Sequence, residues 1–412
     1  MRRIALPFTL FLAAYLALTF GIHALTQNNT LGTDFYIFYR AGQTALLDRQ
    51  SPYTDTLALE NQMAIFKAPA RPDQDHLNFA YPPYVLLAVW PLIGLSFDWA
   101  QALWASFQIL GLLAVMALAY HRARPWASIT FLCFYPVTFG LILGNFAILI
   151  GGLVLLIFGL VTQERAPGRA GQVALGVLLA WLTAKPQFIW LFAVFFLLLA
   201  LRKRWWIFLA GFAGGLLFFL AISFAIVPGW PALWLDSVSR YAAFNQSSVI
   251  VAVLLKDVLP GAAVTPVTLA LGALFLLATG WLFWRWWQGR AADLLVLAWC
   301  GFVVYAFHPR GASYEHITFL LPLLVWAARQ AKLRSWSVLV FWGGSLVVSW
   351  AAFFISIQPG APASLTEWPL LFGAVWLAWL MFRSEYRLAA LKSFNTEARR
   401  KEEGSRGSVQ SR

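Results

Sequence analysis

Long apolar runs recur along the whole chain and constrain its fold more than any other feature. Runs of about 15–25 residues match a helix that crosses a bilayer, because a helix satisfies its own backbone hydrogen bonds in lipid. Of the 412 residues, 61% are hydrophobic and only 11% are charged. A soluble domain carries about 25% charged residues. The sequence therefore predicts an all-α, polytopic helical membrane protein and excludes a soluble enzyme, a nucleic-acid-binding protein and a disulfide scaffold.

The first run, residues 4–25, follows Arg2 and Arg3 and predicts an anchor helix. It is too long for a typical signal-peptide core, and no convincing small-residue cleavage site follows it. The longest polar stretch of the chain, residues 26–80, comes next and forms a polar loop. With the anchor helix, the later runs predict about 12 transmembrane helices. These runs lie near residues 98–120, 127–143, 146–162, 172–184, 186–201, 206–227, 263–287, 291–307, 316–329, 337–357 and 368–383.

The distribution of basic residues predicts the orientation of these helices. With both termini in the cytoplasm, 22 of the 30 Lys and Arg residues fall on the cytoplasmic side, as the positive-inside rule requires. The same loops explain the net charge of +13. The asymmetry is lost if residues 81–96 form another crossing. This segment, which contains Pro82, Pro83 and Pro91, is therefore predicted to be re-entrant or interfacial.

The lengths of the runs predict one domain with an internal opening. We expect a single transmembrane domain over residues 1–383 and a disordered, basic cytoplasmic tail over residues 384–412. The runs 172–184 and 316–329 are shorter than the roughly 20 residues of a spanning helix. Such helices are broken, tilted or extended by polar residues that line a cavity. The sequence therefore predicts a water-accessible hollow that opens outward.

The polar loop on the outer side is expected to contain short amphipathic helices. Residues 35–67 predict two of them, split at Ser51-Pro52-Tyr53. The apolar residues expected at the membrane interface are Phe35, Phe38, Tyr39, Leu46 and Leu47. Carboxylates also collect on the outer side. Membrane topology does not explain this distribution, because acidic residues contribute little to the orientation of transmembrane helices. Chemistry or binding is therefore predicted at the outer face. The outer carboxylates are Asp34, Asp48, Asp55, Glu60, Asp73, Asp75, Asp98, Asp236, Asp257, Glu315 and Glu367.

Asp34 is the candidate catalytic residue of this face. It lies about nine residues beyond the predicted anchor helix, just above the membrane, where a carboxylate can be ionised and still face a cavity. With an ordinary pKa of about 3.9, it is suited to accept a proton from an alcohol. The structural alternative is an N-cap for a helix that begins at Phe35.

Three basic side chains are candidates for binding an anionic group. Lys185 lies at the outer turn between two apolar runs and needs a partner, because at bilayer depth it costs roughly 2.5–3.5 kcal/mol. A lipid phosphate fits this role, and snorkelling to the interface is the alternative. Arg310 can bind phosphate oxygens bidentately, and His316 can donate a hydrogen bond or a proton. An interfacial loop whose polar groups satisfy one another is the alternative for both.

Other polar groups give weaker signals. Asn245 and Gln246 lie in an outer loop and can contact hydroxyl groups, although an ordinary polar loop is the alternative. Asn145 lies in a turn between two runs and has the same two readings. A metal site is not favoured, because no second set of His and Asp residues has the spacing of ligands. No cofactor is predicted.

In order along the chain, several short motifs resemble glycosyltransferase family 87. The resemblance covers roughly residues 30–325. This family contains bacterial polyprenyl-phosphate-mannose-dependent mannosyltransferases of the GT-C superfamily. The motifs are Asp34-Phe35-Tyr36, Ser51-Pro52-Tyr53, Phe79-Ala80-Tyr81-Pro82-Pro83, Gly144-Asn145, Lys185-Pro186-Gln187, Asn245-Gln246-Ser247-Ser248, Ser313-Tyr314-Glu315-His316 and Leu320-Leu321-Pro322.

The resemblance implies a GT-C-like fold and an enzyme of the bacterial plasma membrane. It implies an inverting transfer of a sugar, with mannose expected, from a polyprenyl-phosphate donor to a hydroxyl of a lipid or glycan acceptor outside the cell. The family's essential aspartate corresponds to Asp34 and its late histidine to His316. Two departures concern the turn Gly144-Asn145, where the family usually has Gly-Gln, and the segment before His316, which reads His308-Pro309-Arg310. The residues expected to bind the donor phosphate or substrate are Lys185, Arg310, His316, Tyr81, Asn145, Asn245 and Gln246.

The chemistry of the residues agrees with this implication. An inverting transfer needs one base, and a lipid phosphate leaves without a general acid. Lys185, Arg310 and His316 can stabilise the charge that develops on the phosphate. The alternatives are a transporter or flippase of a lipid-linked substrate and a non-catalytic scaffold. A transporter usually has ionisable groups near the bilayer midplane and an internal repeat, whereas here the polar groups collect at one face.

Overall fold

In the part of the chain that the structure describes, the regular elements are helices; the predicted run 127–143 forms two of them and each other predicted apolar run forms one. The computed structural model describes residues 2–27, 29–72, 74–120, 125–163, 166–244, 249–308, 313–329, 336–358 and 367–383. The tail over residues 384–412 lies outside this part. In chain order, the helices are α1 (Arg2–Thr26), α2 (Thr33–Gly42), α3 (Asp55–Phe66), α4 (Phe97–Ala119), α5 (Pro125–Leu132), α6 (Tyr135–Leu143), α7 (Phe146–Val161), α8 (Arg169–Leu182), α9 (Pro186–Arg202), α10 (Trp206–Ile226), α11 (Trp230–Phe244), α12 (Ile250–Lys256), α13 (Gly261–Trp287), α14 (Asp293–Ala306) and α15 (Ile317–Arg329). Two further helices cover Trp336–Ser356 and Trp368–Arg383.

In the described part of the chain, five helices are long and apolar enough to cross a membrane. The pair α5–α6, bent by 61°, is a sixth candidate. Shorter apolar helices, α7, α8, α9 and α14 among them, have 10–17 residues, fewer than the roughly 20 that a straight span needs. The all-α class is confirmed and the helices indicate a multi-pass membrane protein. The total of about 12 crossings stays a prediction. The five long candidates are Thr9–Thr26, Phe97–Ala119, Trp206–Ile226, Gly261–Trp287 and Trp336–Ser356.

Close packing of α8 against α10 positions the turn that carries Lys185. A Cβ atom at Gly176 would lie 2.2 Å from the carbonyl oxygen of Phe208, so the two backbones touch there. Gly211 makes the reciprocal approach, with 2.7 Å from its ideal Cβ to the carbonyl oxygen of Val173. Small residues of this kind let membrane helices approach closely. The end of α8, where Lys185 follows, is therefore held firmly against its neighbour.

The polar loop contains two helices, as predicted, but its aromatic side chains face the protein. Helix α3 begins after Thr54, whose hydroxyl accepts a hydrogen bond from the Leu57 amide at 3.3 Å. Phe35, Phe38 and Tyr39 are buried in the protein core. Their predicted place at the membrane interface is wrong, because α2 packs its aromatic face on the bundle itself. The loop thus belongs to the folded core.

Residues 81–96 form no long helix. Two short 3-10 helices, Pro83–Ala88 and Trp90–Leu92, replace it, and Val85 and Leu86 are buried. The Tyr84 hydroxyl lies 2.8 Å from the Thr183 hydroxyl, which joins this segment to the end of α8. The segment is too short and irregular for a spanning helix, in agreement with its prediction as a non-crossing piece.

Candidate active site

Asp34 is the second residue of α2 and is half-buried. The helix begins at Thr33, with Gly32 as N-cap, and no side chain caps it. The alternative in which Asp34 caps a helix beginning at Phe35 is therefore wrong. The chain before α2 is held by Gln101 of α4, whose side-chain oxygen accepts a hydrogen bond from the Gly32 amide at 3.3 Å. Asp34 thus has a defined position at the start of a buried helix.

Asn145 joins Asp34 to the turn between α6 and α7. Its side-chain nitrogen, Nδ2, donates a hydrogen bond to Asp34 Oδ2 at 2.7 Å. Its side-chain oxygen accepts one from the Ala147 amide at 2.7 Å and so caps α7. The preceding Gly144 has φ of 66°, and a Cβ there would lie 2.7 Å from Phe35 Cβ. Only glycine suits both the conformation and the space, so the turn lies directly against α2.

The surroundings of Asp34 raise its pKa to about 6. Burial is the main cause, and the charge of Asp75 adds to it. The hydrogen bond from Asn145, the positive charge of Lys185 and a hydrogen bond with Tyr314 act in the opposite direction. A carboxylate with a pKa near neutrality is ionised at pH 7 and is also a stronger base than an ordinary aspartate.

Three tyrosines surround this carboxylate. Burial raises the pKa of Tyr81, Tyr241 and Tyr314, and the negative charges of Asp34 and Glu315 raise each of them further. All three are partly exposed. Their hydroxyl groups are therefore neutral and can donate hydrogen bonds to sugar hydroxyls or phosphate oxygens.

Lys185 forms a buried ion pair with Glu315. Its Nζ lies 2.5 Å from Glu315 Oε1, and the side chains are 2% and 6% exposed. His308 Nε2 lies 3.6 Å from the other carboxylate oxygen. Burial alone raises the pKa of Glu315, but Lys185 and His308 outweigh it and hold the pKa below its ordinary value. The partner that Lys185 requires is thus provided by the protein, and the lysine does not snorkel to the surface.

His316 contacts a second cluster at the beginning of the last described helix. Its Nε2 lies 4.0 Å from Glu367 Oε2, and its ring stands edge-on to those of Tyr305 and Trp368 at 5.2 and 6.1 Å. The Tyr305 hydroxyl donates a short hydrogen bond to Glu367. The described contacts of His316 therefore join α15 to that helix.

The structure brings together part of the predicted set. Direct or electrostatic contacts join Asp34 to Asn145, Lys185 and Tyr81. Arg310, Asn245 and Gln246 lie outside the described residues. Among the described residues, no three His, Cys, Asp or Glu side chains form a group that could hold a metal ion.

Sequence reasoning did not assign Tyr241, Tyr314 or Asp75 to this site. Tyr314 was part of a recognised motif, and Asp75 was counted among the outer carboxylates. Their sequence positions alone did not show that they surround Asp34. The two tyrosines reach this place through the packing of α11 and of the turn before α15, which the sequence does not show.

An apolar groove is lined by Phe35, the residue that follows Asp34 in α2. It has a volume of about 230 Å³ and runs between α1, α4 and α6. Ile22 and Leu25 form one wall, Trp104 and Ile109 another, and its end includes Phe35, the neighbour of Asp34. The site therefore combines a half-buried carboxylate and neutral hydroxyl groups with an adjoining apolar surface.

The described structure is that of a multi-pass helical membrane protein with a titratable carboxylate near an apolar groove. The model of glycosyltransferase family 87 matches residues 79–309, which is more than half of the 412 residues. The chain belongs to glycosyltransferase family 87 and is therefore a glycosyltransferase. This favours the enzyme over the transporter and scaffold alternatives. No curated protein and no solved structure matches the chain.

The matched range divides the site. Tyr81, Asn145 and Lys185 lie within residues 79–309, whereas Asp34 and His316 lie outside it. The roles of Asp34 and His316 thus depend on their own geometry and not on the family match.

Proposed function

We propose that this glycosyltransferase moves a sugar, with mannose as the first candidate, from a polyprenyl-phosphate donor to a hydroxyl of a lipid or glycan acceptor. Asp34 is the general base of an inverting transfer. The reaction takes place at the outer face of a bacterial plasma membrane, in a GT-C-like bundle of about 12 crossings with cytoplasmic termini. A single domain over residues 1–383 carries the activity, and residues 384–412 form the tail.

The environment of Asp34 carries this proposal. A base that removes a proton from an alcohol needs to be ionised, accessible and of raised basicity. Asp34 is partly exposed, has a pKa of about 6, and accepts a hydrogen bond from a neutral amide instead of a fixed cation. It is therefore free to take a proton when the acceptor hydroxyl attacks the sugar carbon.

The groups around Lys185 support binding of a donor phosphate. Lys185 supplies a positive charge next to Asp34, although Glu315 balances that charge in the described geometry. A phosphate that approaches from the side of Tyr314 shares the lysine with Glu315, and His308 can then balance the carboxylate. Arg310 and His316 are further proposed phosphate contacts.

The apolar groove supports a lipid-linked donor. Its walls from α1 and α4 are aliphatic and aromatic, and they include Phe35, the neighbour of Asp34 in the sequence. A polyprenyl chain that lies along these helices places its phosphate close to the polar side chains. Tyr81, Asn245 and Gln246 are proposed contacts to the sugar or the acceptor.

The test is sugar transfer in membranes that contain the full chain, with radiolabelled polyprenyl-phosphate-mannose and the endogenous acceptors. We expect the Asp34→Asn variant to lose transfer by on the order of 10²–10⁴-fold, because asparagine has the same shape but takes no proton. The matched control is Asp48→Asn, an exposed carboxylate of the same polar loop, which is expected to keep full transfer.

The remaining outcomes contradict separate parts of the proposal. Normal transfer by a well-expressed Asp34→Asn variant removes Asp34 as the base. If the wild-type chain transfers nothing from this donor, the proposed donor sugar or the acceptor is wrong, or the protein is a transporter. The same membranes are then supplied with polyprenyl phosphates that carry other hexoses.

A further inference from the structure

The two ends of the Asn145 amide have different partners, and this fixes the orientation of the group. Its oxygen accepts the hydrogen bond of the Ala147 amide that caps α7. A flipped amide would place its NH₂ group against this N–H donor, so the observed assignment is required. The nitrogen must then point to Asp34, where it lies 2.7 Å from Oδ2.

The backbone of Asn145 is held as firmly as its side chain. The backbone N–H of Asn145 donates a hydrogen bond to the Gly140 carbonyl at 2.9 Å, and its backbone carbonyl accepts one from the Gln108 side chain at 2.8 Å. The residue is only 4% exposed. Because the donor is already in place, no reorganisation is needed when the charge on Asp34 changes.

We propose that Asn145 is a positioning residue for Asp34, whose carboxylate it holds through Oδ2 in the orientation in which it takes the proton of the acceptor hydroxyl. The amide nitrogen can only donate, so it fixes Oδ2 without competing for the proton, whereas the second contact of the carboxylate comes from the Tyr314 hydroxyl, which can rotate. This inference rests on the proposed role of Asp34 as the base. It replaces the expected role of Asn145 in direct contact with the substrate.

The hydrogen bond also favours the ionised form of Asp34. Lys185, from the turn between α8 and α9, and Tyr314, from the turn before α15, act in the same direction. Asp75, from the polar loop, opposes them. Loss of the amide therefore leaves Asp34 more readily protonated, and its titration moves to higher pH.

The titration of Asp34 can be measured without any substrate. A hydrophobic carbodiimide modifies carboxyl groups in their protonated form, and peptide mass spectrometry reports the modified fraction of Asp34 at each pH. We expect a midpoint of about 6 in the purified wild-type chain. In Asn145→Ala and Asn145→Ser we expect it about one pH unit higher, because a hydrogen bond to a charged group is lost.

The serine variant separates positioning from folding. Serine is a good N-cap and keeps the start of α7, but it is too short to reach Asp34. Equal upward shifts in both variants support the proposal. An unchanged midpoint in both, or a shift in Asn145→Ala alone, overturns it, because the effect then comes from the cap and not from the amide donor.

Transfer assays on the same variants give a second readout. We expect the acid limb of the pH–rate profile to move upward with the labelling midpoint, while the KM for the donor stays unchanged. A higher KM with an unmoved profile instead assigns Asn145 to substrate binding. Since labelling needs no donor, a failure of the proposed transfer reaction is distinguishable from a failure of this inference.

Discussion

Two carboxylates interact with the Lys185 ammonium, and their pKa values shift in opposite directions. Asp34 is half-buried, receives a hydrogen bond from a neutral amide and has its pKa raised to about 6. Glu315 is buried, lies 2.5 Å from the Lys185 ammonium and has its pKa held below the ordinary value. Burial raises the pKa of both groups, but only at Glu315 do the neighbouring cations outweigh it.

The different environments of Asp34 and Glu315 suit two different roles, that of a base and that of a counter-ion. A group that exchanges a proton during a reaction benefits from a pKa near the working pH and from a partner that leaves it free. A carboxylate paired with a buried cation stays ionised and is expensive to disturb. Asp34 therefore fits proton transfer, whereas Glu315 fits the role of holding Lys185 in place.

The largest expected effect comes from breaking the buried pair. We expect Lys185→Met to lower the free energy of unfolding by about 3–5 kcal/mol, because Glu315 is left as an unpaired buried charge. The measurement is thermal unfolding of the purified chain in detergent. The double variant Lys185→Met/Glu315→Leu is the control and is expected to recover most of the loss. If the double variant stays as unstable as the single one, the two side chains are not a coupled pair.

The pH dependence of transfer sharpens the comparison. The base must be ionised, so we expect the rate to fall about tenfold per pH unit below the Asp34 pKa of about 6. At pH values between the ordinary aspartate pKa and about 6, Asp34 is protonated in the folded state but ionised in the unfolded state. Acidification through this range therefore stabilises the folded state, because the pKa of Asp34 is higher in the folded state. Glu315 has the opposite sign, since its contribution to stability disappears only as pH falls through its lowered folded pKa.

Activity and folding are therefore expected to respond to acid separately. Between pH 7 and pH 5, transfer falls while the unfolding temperature stays constant or rises slightly. Rate–pH profiles and thermal scans on one preparation measure both quantities. A rate that falls only together with the unfolding temperature means that acid unfolds the protein, and Asp34 is then not the group that titrates.

The smallest effect is expected at an exposed ion pair. Arg240 of α11 lies 2.7 Å from Asp55, the first residue of α3, and Asp55 is 82% exposed. We expect Asp55→Asn to change the free energy of unfolding by less than about 1 kcal/mol, since water screens such a pair. Thermal unfolding next to Lys185→Met measures the contrast. A loss as large as that of Lys185→Met shows that exposure does not explain the difference between the pairs.

Much of the fold follows from local sequence. Apart from the run 127–143, each apolar run becomes one helix close to its predicted ends, as α4 shows with Phe97–Ala119 against the predicted 98–120. The bend at α5–α6 was not predicted, because its two halves form one apolar run, 127–143. The aromatic residues of α2 were assigned to the wrong surroundings, since an apolar face suits a membrane interface and a protein core equally well.

The sequence predicted the kind of candidate site but only some of the residues that form it. The motif around Asp34 pointed to a base, and the need of Lys185 for a partner followed from the cost of its charge. The identity of that partner did not follow, since both a lipid phosphate and a carboxylate satisfy a lysine. The different environments of Asp34 and Glu315 did not follow either, because both are outer carboxylates in the sequence.

The sequence by itself determined that the chain forms apolar helices with a polar loop after the first of them. Each helix depends on hydrogen bonds and side chains within one segment, which a single sequence displays directly. Only the tertiary structure decided which polar groups meet. Asp34 and Asn145 are 111 residues apart, and Lys185 and Glu315 are 130 apart. Such contacts arise from the packing of distant helices, and these contacts distinguish a carboxylate that can take a proton from one that stays paired.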